Sequence, residues 1–331
     1  MKLLVTGGAG FVGAALVKLL QGRGHTVTAF DNLSSGSRIA LESDHLVVGD
    51  LRDREAITAV LRDRKIDAVM HLAAPPGGMR TLDASSCYAN SVLATHTLLD
   101  AMVEQRVRSL VFASSAQVYG MPVRVPIDEE HPKAATDLNG TTKWMCEQML
   151  EHWRVAYGLQ SVALRWYGTA GADLQSQVGP SRTHDGELIP RVMRACSGRG
   201  DAMPMHGIDH ATRDGTCVRD FLHVNDVCEA FVLALDALQA NRTRAAYNIG
   251  TGRGYSIREV VLATERVTQR QVPVRIAPRR PGDVPVLVTD ASAARYELGW
   301  KPRMSDIDSI IEHAWHWEER RREHHEFQCA A

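Results

Sequence analysis

The chain has 331 residues, 44% of them hydrophobic, enough to bury the core of one large α/β domain or of two joined lobes. A formal net charge of -1 without any block of like charges argues against nucleic acid or an anionic membrane as partner and points to a small molecule. Cys87, Cys146, Cys196, Cys217, Cys228 and Cys329 are scattered without a C-x-x-C pair, and no apolar run is long enough to span a bilayer. Reduced thiols and a cytoplasmic location are expected, the more so because the first strand begins at once, with no signal-peptide pattern before it.

In chain order, short apolar runs rich in β-branched residues alternate with amphipathic stretches of helical length. The strands are KLLVTG, HTVTAFD, DHLVVGD, DAVMHLAA, SLVFASS and SVALRWYG; the helices between them are AALVKLLQGRG, EAITAVLRDR, SVLATHTLLDAMVEQ and TTKWMCEQMLEHWRVAYG. This alternation predicts an α/β fold: a Rossmann-type doubly wound parallel sheet covered on both faces, with a smaller C-terminal substrate-binding lobe. After about residue 167 the rhythm breaks, and GTAGADLQSQVGPSRTHDGE reads as a long polar loop near a ligand. FLHVNDVCEAFVLALDAL and AAYNIGTG then return a helix and a strand to the sheet. The expected division is therefore interleaved: 1–167 and 221–250 bind the cofactor, and 168–220 and 251–331 form the substrate lobe. The terminal WHWEERRREHHEF reads as a charged helix or frayed tail, with His324 and His325 solvated; no metal site is expected.

Gly7, Gly10 and Gly13 lie in TGGAGFVG directly after a strand and before a helix. Bare backbone there allows close approach of a pyrophosphate, and the helix N-terminus supplies N–H groups and a positive dipole end. Asp31 ends the second strand where a carboxylate accepts both ribose hydroxyls and repels a 2′-phosphate, which predicts NAD over NADP; Arg38 nearby is the feature favouring NADP. Asp50-Leu51, closing the third strand, suits either an adenine contact or the cap of the next helix.

These stretches, together with DNLSSGS, GDLRD, HLAA, SSAQVYG, KWMCEQML, DGTCVRDFLHVNDV, YNIGTGRGYS, RRPGD and ELGW, resemble the extended short-chain dehydrogenase/reductase family, specifically its UDP-glucose 4-epimerase group. The resemblance covers nearly the whole chain. It implies tightly held NAD, with contacts from Gly7, Gly10, Phe11, Val12, Gly13, Asp31, Asn32, Asp50, Leu51, Leu72, Ala73 and Lys143. It also implies a mechanism in which hydride leaves C4 of a nucleotide sugar while a base takes the hydroxyl proton; the keto sugar then turns over and hydride returns to its other face.

In that group the base is a tyrosine with a lysine one helical turn on. Here Ser115 matches the serine that bonds the reacting oxygen and Lys143 the lysine, but the tyrosine position is Asn139. An amide has no proton to exchange near neutrality, so Asn139 is not the base. Positioned acid-base groups contribute about 10²–10⁴ in rate, so a replacement is required for a competent epimerase. Lys143 itself, a water relayed by Ser115, Tyr119, Tyr167 and His184 are the alternatives. Taken alone, Asn139-Gly140 also reads as a turn or N-cap delaying the helix to Thr141. Further departures are PPGGMR after HLAA, Ser91 with Asn90 where the group has its asparagine one place later, and Gly168 in place of the asparagine after the Arg165-Trp166-Tyr167 run.

On the substrate side the resemblance assigns Arg219, Arg280 and Asp283 to the nucleotide diphosphate and ribose, and Leu188-Ile189-Pro190 to a segment folding over the nucleotide. Arginine's planar fork bonds phosphate oxygens in pairs. The partner is expected to be a UDP-sugar, the reaction an NAD-dependent isomerisation, and the protein a homodimer through the helix of Lys143 and the one around Ser91 to Glu104. A binding protein without turnover, or an oxidoreductase, is the alternative. Ala116-Gln117 replaces the Asp-Glu pair of the family's dehydratases.

Overall fold

A computed structural model describes residues 1–38, 41, 43–75, 83–175, 177–180, 187–280 and 282–329, without the side chains of 43 and 322–329. In its first half β1 (Lys2–Thr6), α1 (Phe11–Gly22), β2 (Thr26–Asp31), β3 (Leu46–Val48), α2 (Arg54–Asp63) and β4 (Ala68–His71) follow the expected alternation. Then come α3 (Ala84–Tyr88), a π-helical turn over Ala89–Leu93, α4 (Ala94–Glu104), β5 (Ser109–Ala113), α5 (Leu138–Tyr157) and β6 (Gln160–Arg165). The helix expected to begin at Ser91 is thus the end of a longer helical run starting at Ala84.

The second half contains β7 (Gly168–Ala170), α6 (Leu188–Cys196), β8 (Met203–His206), β9 (Val218–Arg219), β10 (Phe221–His223), α7 (Val224–Gln239) and β11 (Ala246–Asn248). It closes with β12 (Tyr255–Ser256), α8 (Ile257–Thr268), β13 (Val274–Ala277), β14 (Val286–Leu287), α9 (Ser292–Glu297) and α10 (Ile307–Cys329). The polar stretch after residue 167 is not all loop, since β7 pairs in parallel with β10. The charged terminal segment forms the end of α10; His324 and His325 lie outside the described side chains.

Seven strands form one parallel sheet in the order β11-β6-β5-β4-β1-β2-β3. Side chains alternate across it, as the two-residue period of a strand demands. Leu3 and Val5 of β1 join Leu16 and Leu20 of α1 and Phe231 and Leu235 of α7 on one face. Leu4 turns to the other, with Ile57 of α2, Leu98 and Met102 of α4 and Leu150 of α5. Both faces are therefore dry, which explains why the strands read as continuous apolar runs. Because the order reverses between β1 and β4, their carboxyl ends leave a crevice where such sheets bind ligands. A separate apolar cluster is built from Ile189 and Val192 of α6, Met203 and Met205 of β8, Val260 of α8 and Ile310 and Ile311 of α10. No helix among the described residues is long and apolar enough to cross a membrane.

Candidate active site

At the carboxyl edge of the sheet lies a cleft of about 530 Å³, within the range of small-molecule sites. Its floor is the turn from β1 into α1. Gly7 has φ +68°, and a Cβ there would stand 2.7 Å from Ala73 N; at Gly13 a Cβ would stand 2.1 Å from Gly7 O. Only glycine permits this close packing of β1, α1 and the segment after β4, which leaves bare backbone facing the cleft. Gly10 caps α1 without a side-chain bond, so the helix N-terminus opens toward the cavity with Phe11 and Val12 lining it.

Asp31 ends β2 at the rim, its carboxylate accepting hydrogen bonds from Ala9 N at 3.0 Å and Leu33 N at 2.8 Å. Asp50 does not cap α2; that role belongs to Asp53, which accepts from Ala56 N at 3.0 Å. Asp50 instead accepts from Arg52 Nε at 2.9 Å and Nη2 at 2.7 Å, and from Asn32 Nδ2 at 3.3 Å. The Arg52 bonds hold its carboxyl well below the usual range. Leu51, Leu72 and Ala73 supply apolar lining beside these groups. A bare-backbone cradle, a helix N-terminus and a carboxylate at the end of the second strand together fit a dinucleotide. Arg38 does not line the cleft.

Across the cleft, α5 and the 3₁₀ turn after β5 carry the side chains expected to take part in the chemistry. Ser115 Oγ accepts from Gln117 N at 3.1 Å and so starts that turn. Asn139 and Gly140 form no separate turn. Asp137 is the N-cap of α5, accepting from Gly140 N at 2.8 Å, and Asn139 is already helical. Gly140 serves close approach, since a Cβ there would lie 2.3 Å from Gln117 O. Asn139 Nδ2 donates to Gln117 Oε1, which couples the tyrosine position to the turn that carries Ser115.

One helical turn on, Lys143 lines the cleft beside Asn139; its Nζ donates to Ala113 O at 2.7 Å and sits 4.7 Å from the Phe112 ring centroid. Burial pushes its pKa down, with Glu147 opposing. Glu147 belongs to a buried network under the site. It accepts from Ser114 Oγ and from Arg165 Nε at 2.9 Å, Arg165 Nη1 donates to Tyr119 Oη at 2.8 Å, and Tyr119 donates to Asn248 Oδ1 at 2.7 Å.

The far wall holds the residues expected to bind a nucleotide sugar. Leu188, Ile189 and Pro190 open α6, Arg219 ends β9, and Arg280 and Asp283 precede β14; all line the cleft. Arg219 donates to Val218 O at 2.9 Å and lies 5.2 Å from the Tyr167 ring centroid. Gly168 and Tyr167 line the same wall.

The residues assigned to cofactor and substrate, with Ser115, Asn139 and Lys143, therefore meet in one cavity, and the alternatives for the proton step divide. Tyr119 is buried away from the cleft and burial pushes its phenol up to about 12, so it packs; Tyr167 is in the cleft; His184 lies outside the described residues, as do 76–80 of PPGGMR and Pro281 of RRPGD. Asn90, not Ser91, reaches the cleft, and it donates to Ser86 O at 2.8 Å, while the buried Ser91 hydroxyl finds no hydrogen bond. Sequence reasoning missed Gln117 as the partner of Asn139, the imidazole of His206 and the carboxylate of Glu187. For Glu187 a signal existed: a glutamate standing where a helix start favours Ser, Thr, Asp or Asn.

The model of the NAD dependent epimerase/dehydratase family matches residues 3–250. The UDP-glucose 4-epimerase of Halalkalibacterium halodurans is 38% identical over 318 residues, 96% of this chain and 95% of that protein. The crystal structure of UDP-glucose 4-epimerase from Brucella ovis in complex with NAD is 40% identical, covers 96% of this chain and 98% of that one, and superposes with a TM-score of 0.92. That of the Stenotrophomonas maltophila UDP-glucose 4-epimerase, with bound NAD and formylated UDP-arabinopyranose, is 34% identical, with coverages of 98% and 99% and a TM-score of 0.93. On the sequence, the sheet order and the cleft taken together, the chain belongs to the NAD dependent epimerase/dehydratase family.

Proposed function

We propose that the protein is an NAD-dependent epimerase of a nucleotide sugar, most simply a UDP-sugar, acting at C4 or a neighbouring carbinol centre. The observation that carries this reading is the meeting, in one cleft, of a dinucleotide cradle (Gly7, Gly10, Gly13, Asp31) and a cationic wall (Arg219, Arg280) at Ser115 and Lys143. NAD, when bound, supplies a reversible hydride acceptor. Asp31 binds the adenosine ribose, and Leu51 with Leu72 covers the adenine end. Lys143, held by Ala113 O, orients the nicotinamide ribose. Ser115 hydrogen-bonds the reacting oxygen, and Arg219 and Arg280 neutralise the diphosphate while Asp283 binds the uridine ribose. Gly168 and Tyr167 bound the sugar, so the room left by the missing side chain at 168 shapes its choice.

The two interleaved parts, 1–167 with 221–250 and 168–220 with 251–331, are the cofactor and substrate lobes of this reading. A homodimer through α4 and α5 is proposed with it, supported by apolar side chains exposed there: Met145, Val155 and Tyr157 on α5, and Leu93 just before α4. A cytoplasmic location is proposed as well, supported by the free, buried thiols of Cys87, Cys146, Cys196, Cys217 and Cys228. Mass spectrometry of the isolated protein tests for bound NAD. Proton NMR of UDP-hexoses, UDP-hexosamines and UDP-uronates then tests turnover, and a protein that holds NAD but converts none of them in single-turnover experiments refutes the reading.

A further inference from the structure

Without a phenol at position 139, the proposed reaction needs another group to take the hydroxyl proton. Most side chains in the cleft are already engaged. Asp31 is held by two backbone amides and Asp50 by Arg52, while Lys143 spends a proton on Ala113 O. The Tyr167 ring is packed against the Arg219 guanidinium.

Glu187 differs. It stands at the N-cap position of α6 and lines the cleft next to Leu188, yet its side chain makes no capping bond. Among the described residues no hydrogen bond or ion pair engages its carboxylate. Its surface opens into the same cleft as Asn139, Ser115 and Lys143.

We propose that Glu187 is the proton acceptor and donor of the epimerisation, in place of the absent tyrosine. This rests on the epimerase reading. In the forward half, the carboxylate takes the hydroxyl proton as the O–H pair becomes the second C–O bond and the carbinol hydrogen leaves with its pair to the oxidised cofactor. When hydride returns to the other face, the carbonyl oxygen recovers that proton from the Glu187 carboxylic acid. Proton and electron pair are both restored, so no further reactant is needed.

The environment of the carboxyl suits this task. Glu187 is exposed to the cleft, and loss of hydration among the groups around it pushes its carboxyl up to about 7. Both forms are then populated at neutral pH, as a group that accepts and returns a proton requires. The charged and titratable groups lining the cleft are Arg191 of α6, Tyr167 before β7, His206 of β8, Cys217 and Arg219 at β9, Arg280 and Asp283 before β14, Lys143 of α5, and Asp31 and Asp50 at the ends of β2 and β3. Burial moves His206 below its ordinary value, which favours its neutral form.

The test uses the NAD-loaded protein and whichever UDP-sugar the unmodified enzyme turns over. Glu187→Gln is expected to lower kcat by about 10²–10⁴-fold, to change UDP affinity by less than about threefold, and to abolish the fall in kcat below about pH 7. Adding Asn139→Tyr to Glu187→Gln is expected to restore turnover, because a phenol then supplies the missing acceptor. Independently of activity, the difference in carbon-13 glutamate spectra between the unmodified protein and Glu187→Gln is expected to show one carboxyl titrating near 7. An active enzyme whose Glu187→Gln variant keeps its rate and acid limb overturns the inference alone. So does a variant that loses UDP binding and is not rescued at position 139, or a Tyr167→Phe variant that removes the acid limb instead. An unmodified protein that converts no UDP-sugar removes the epimerase reading, and this inference with it.

Discussion

Glu147→Ala tests whether the buried ion pair under the site fixes both the fold and the reacting groups. Glu147 and Arg165 expose only 7% and 5% of their side chains, and the carboxylate also receives Ser114 Oγ. Removing one partner of such a pair leaves an uncompensated buried charge, here the Arg165 guanidinium, at a cost of about 3–5 kcal/mol. For 331 residues the unfolding entropy near Tm is roughly 0.7 kcal/mol/K, so the expected fall in Tm is about 4–7 °C by circular dichroism. Lys143 also loses a negative charge that now supports its protonated form, and Ser114 loses its acceptor beside Ser115. Cofactor retention should therefore fall as well, read as bound NAD per chain after gel filtration. Glu147→Leu combined with Arg165→Met removes both charges and should recover a large part of the lost Tm. A Tm within about 1 °C of the unmodified protein for Glu147→Ala alone would refute the reasoning.

Gly13→Ala places a Cβ 2.1 Å from Gly7 O; loss of bound NAD and a lower Tm are expected, and normal NAD content would show that the β1–α1 turn is not the cradle. Asp31→Ala removes the acceptor of two backbone amides as well as the proposed ribose contact, so NAD affinity measured by calorimetry should drop by about 10-fold or more, each lost hydrogen bond to a charged group being worth about 1.5–3 kcal/mol. Unchanged NAD affinity would count against the assignment. Tyr119→Phe breaks the bonds to Arg165 and Asn248 but takes no proton acceptor from the cleft, so it should cost about 1–3 kcal/mol of stability in denaturant titration and leave the pH profile of kcat in place. A displaced acid limb would return Tyr119 to the chemistry.

How much was legible in the sequence depended on whether a feature's cause was local. The parallel sheet was legible because strands dry on both faces must be apolar throughout, and Leu3, Leu4 and Val5 are. The glycine cradle was legible because its tight turn admits few residues, and all the named cofactor and substrate positions line one cleft. Asn139-Gly140 misled when taken as a pair in isolation. Their composition suggests a turn, but Asp137 caps the helix before them, and Gly140 is glycine because α5 presses on the carbonyl of Gln117, a contact between segments distant in sequence. Asp50 was ambiguous for a similar reason, since only the structure shows that Asp53 had taken the cap.

Glu187 shows the limit most clearly. Its significance comes neither from a motif nor from spacing to Lys143, but from the fold, which brings the start of α6 to the same cleft as Asn139. A sequence displays the loss at position 139 plainly, because loss is read against a pattern at one position. Compensation has no such pattern, since any element reaching the cleft can supply it. The substitution at 139 and the unengaged carboxylate at 187 therefore become one observation only when the fold shows both on a common cavity. That is why the double replacement, a phenol restored where the acid is removed, probes their relation more directly than either change alone.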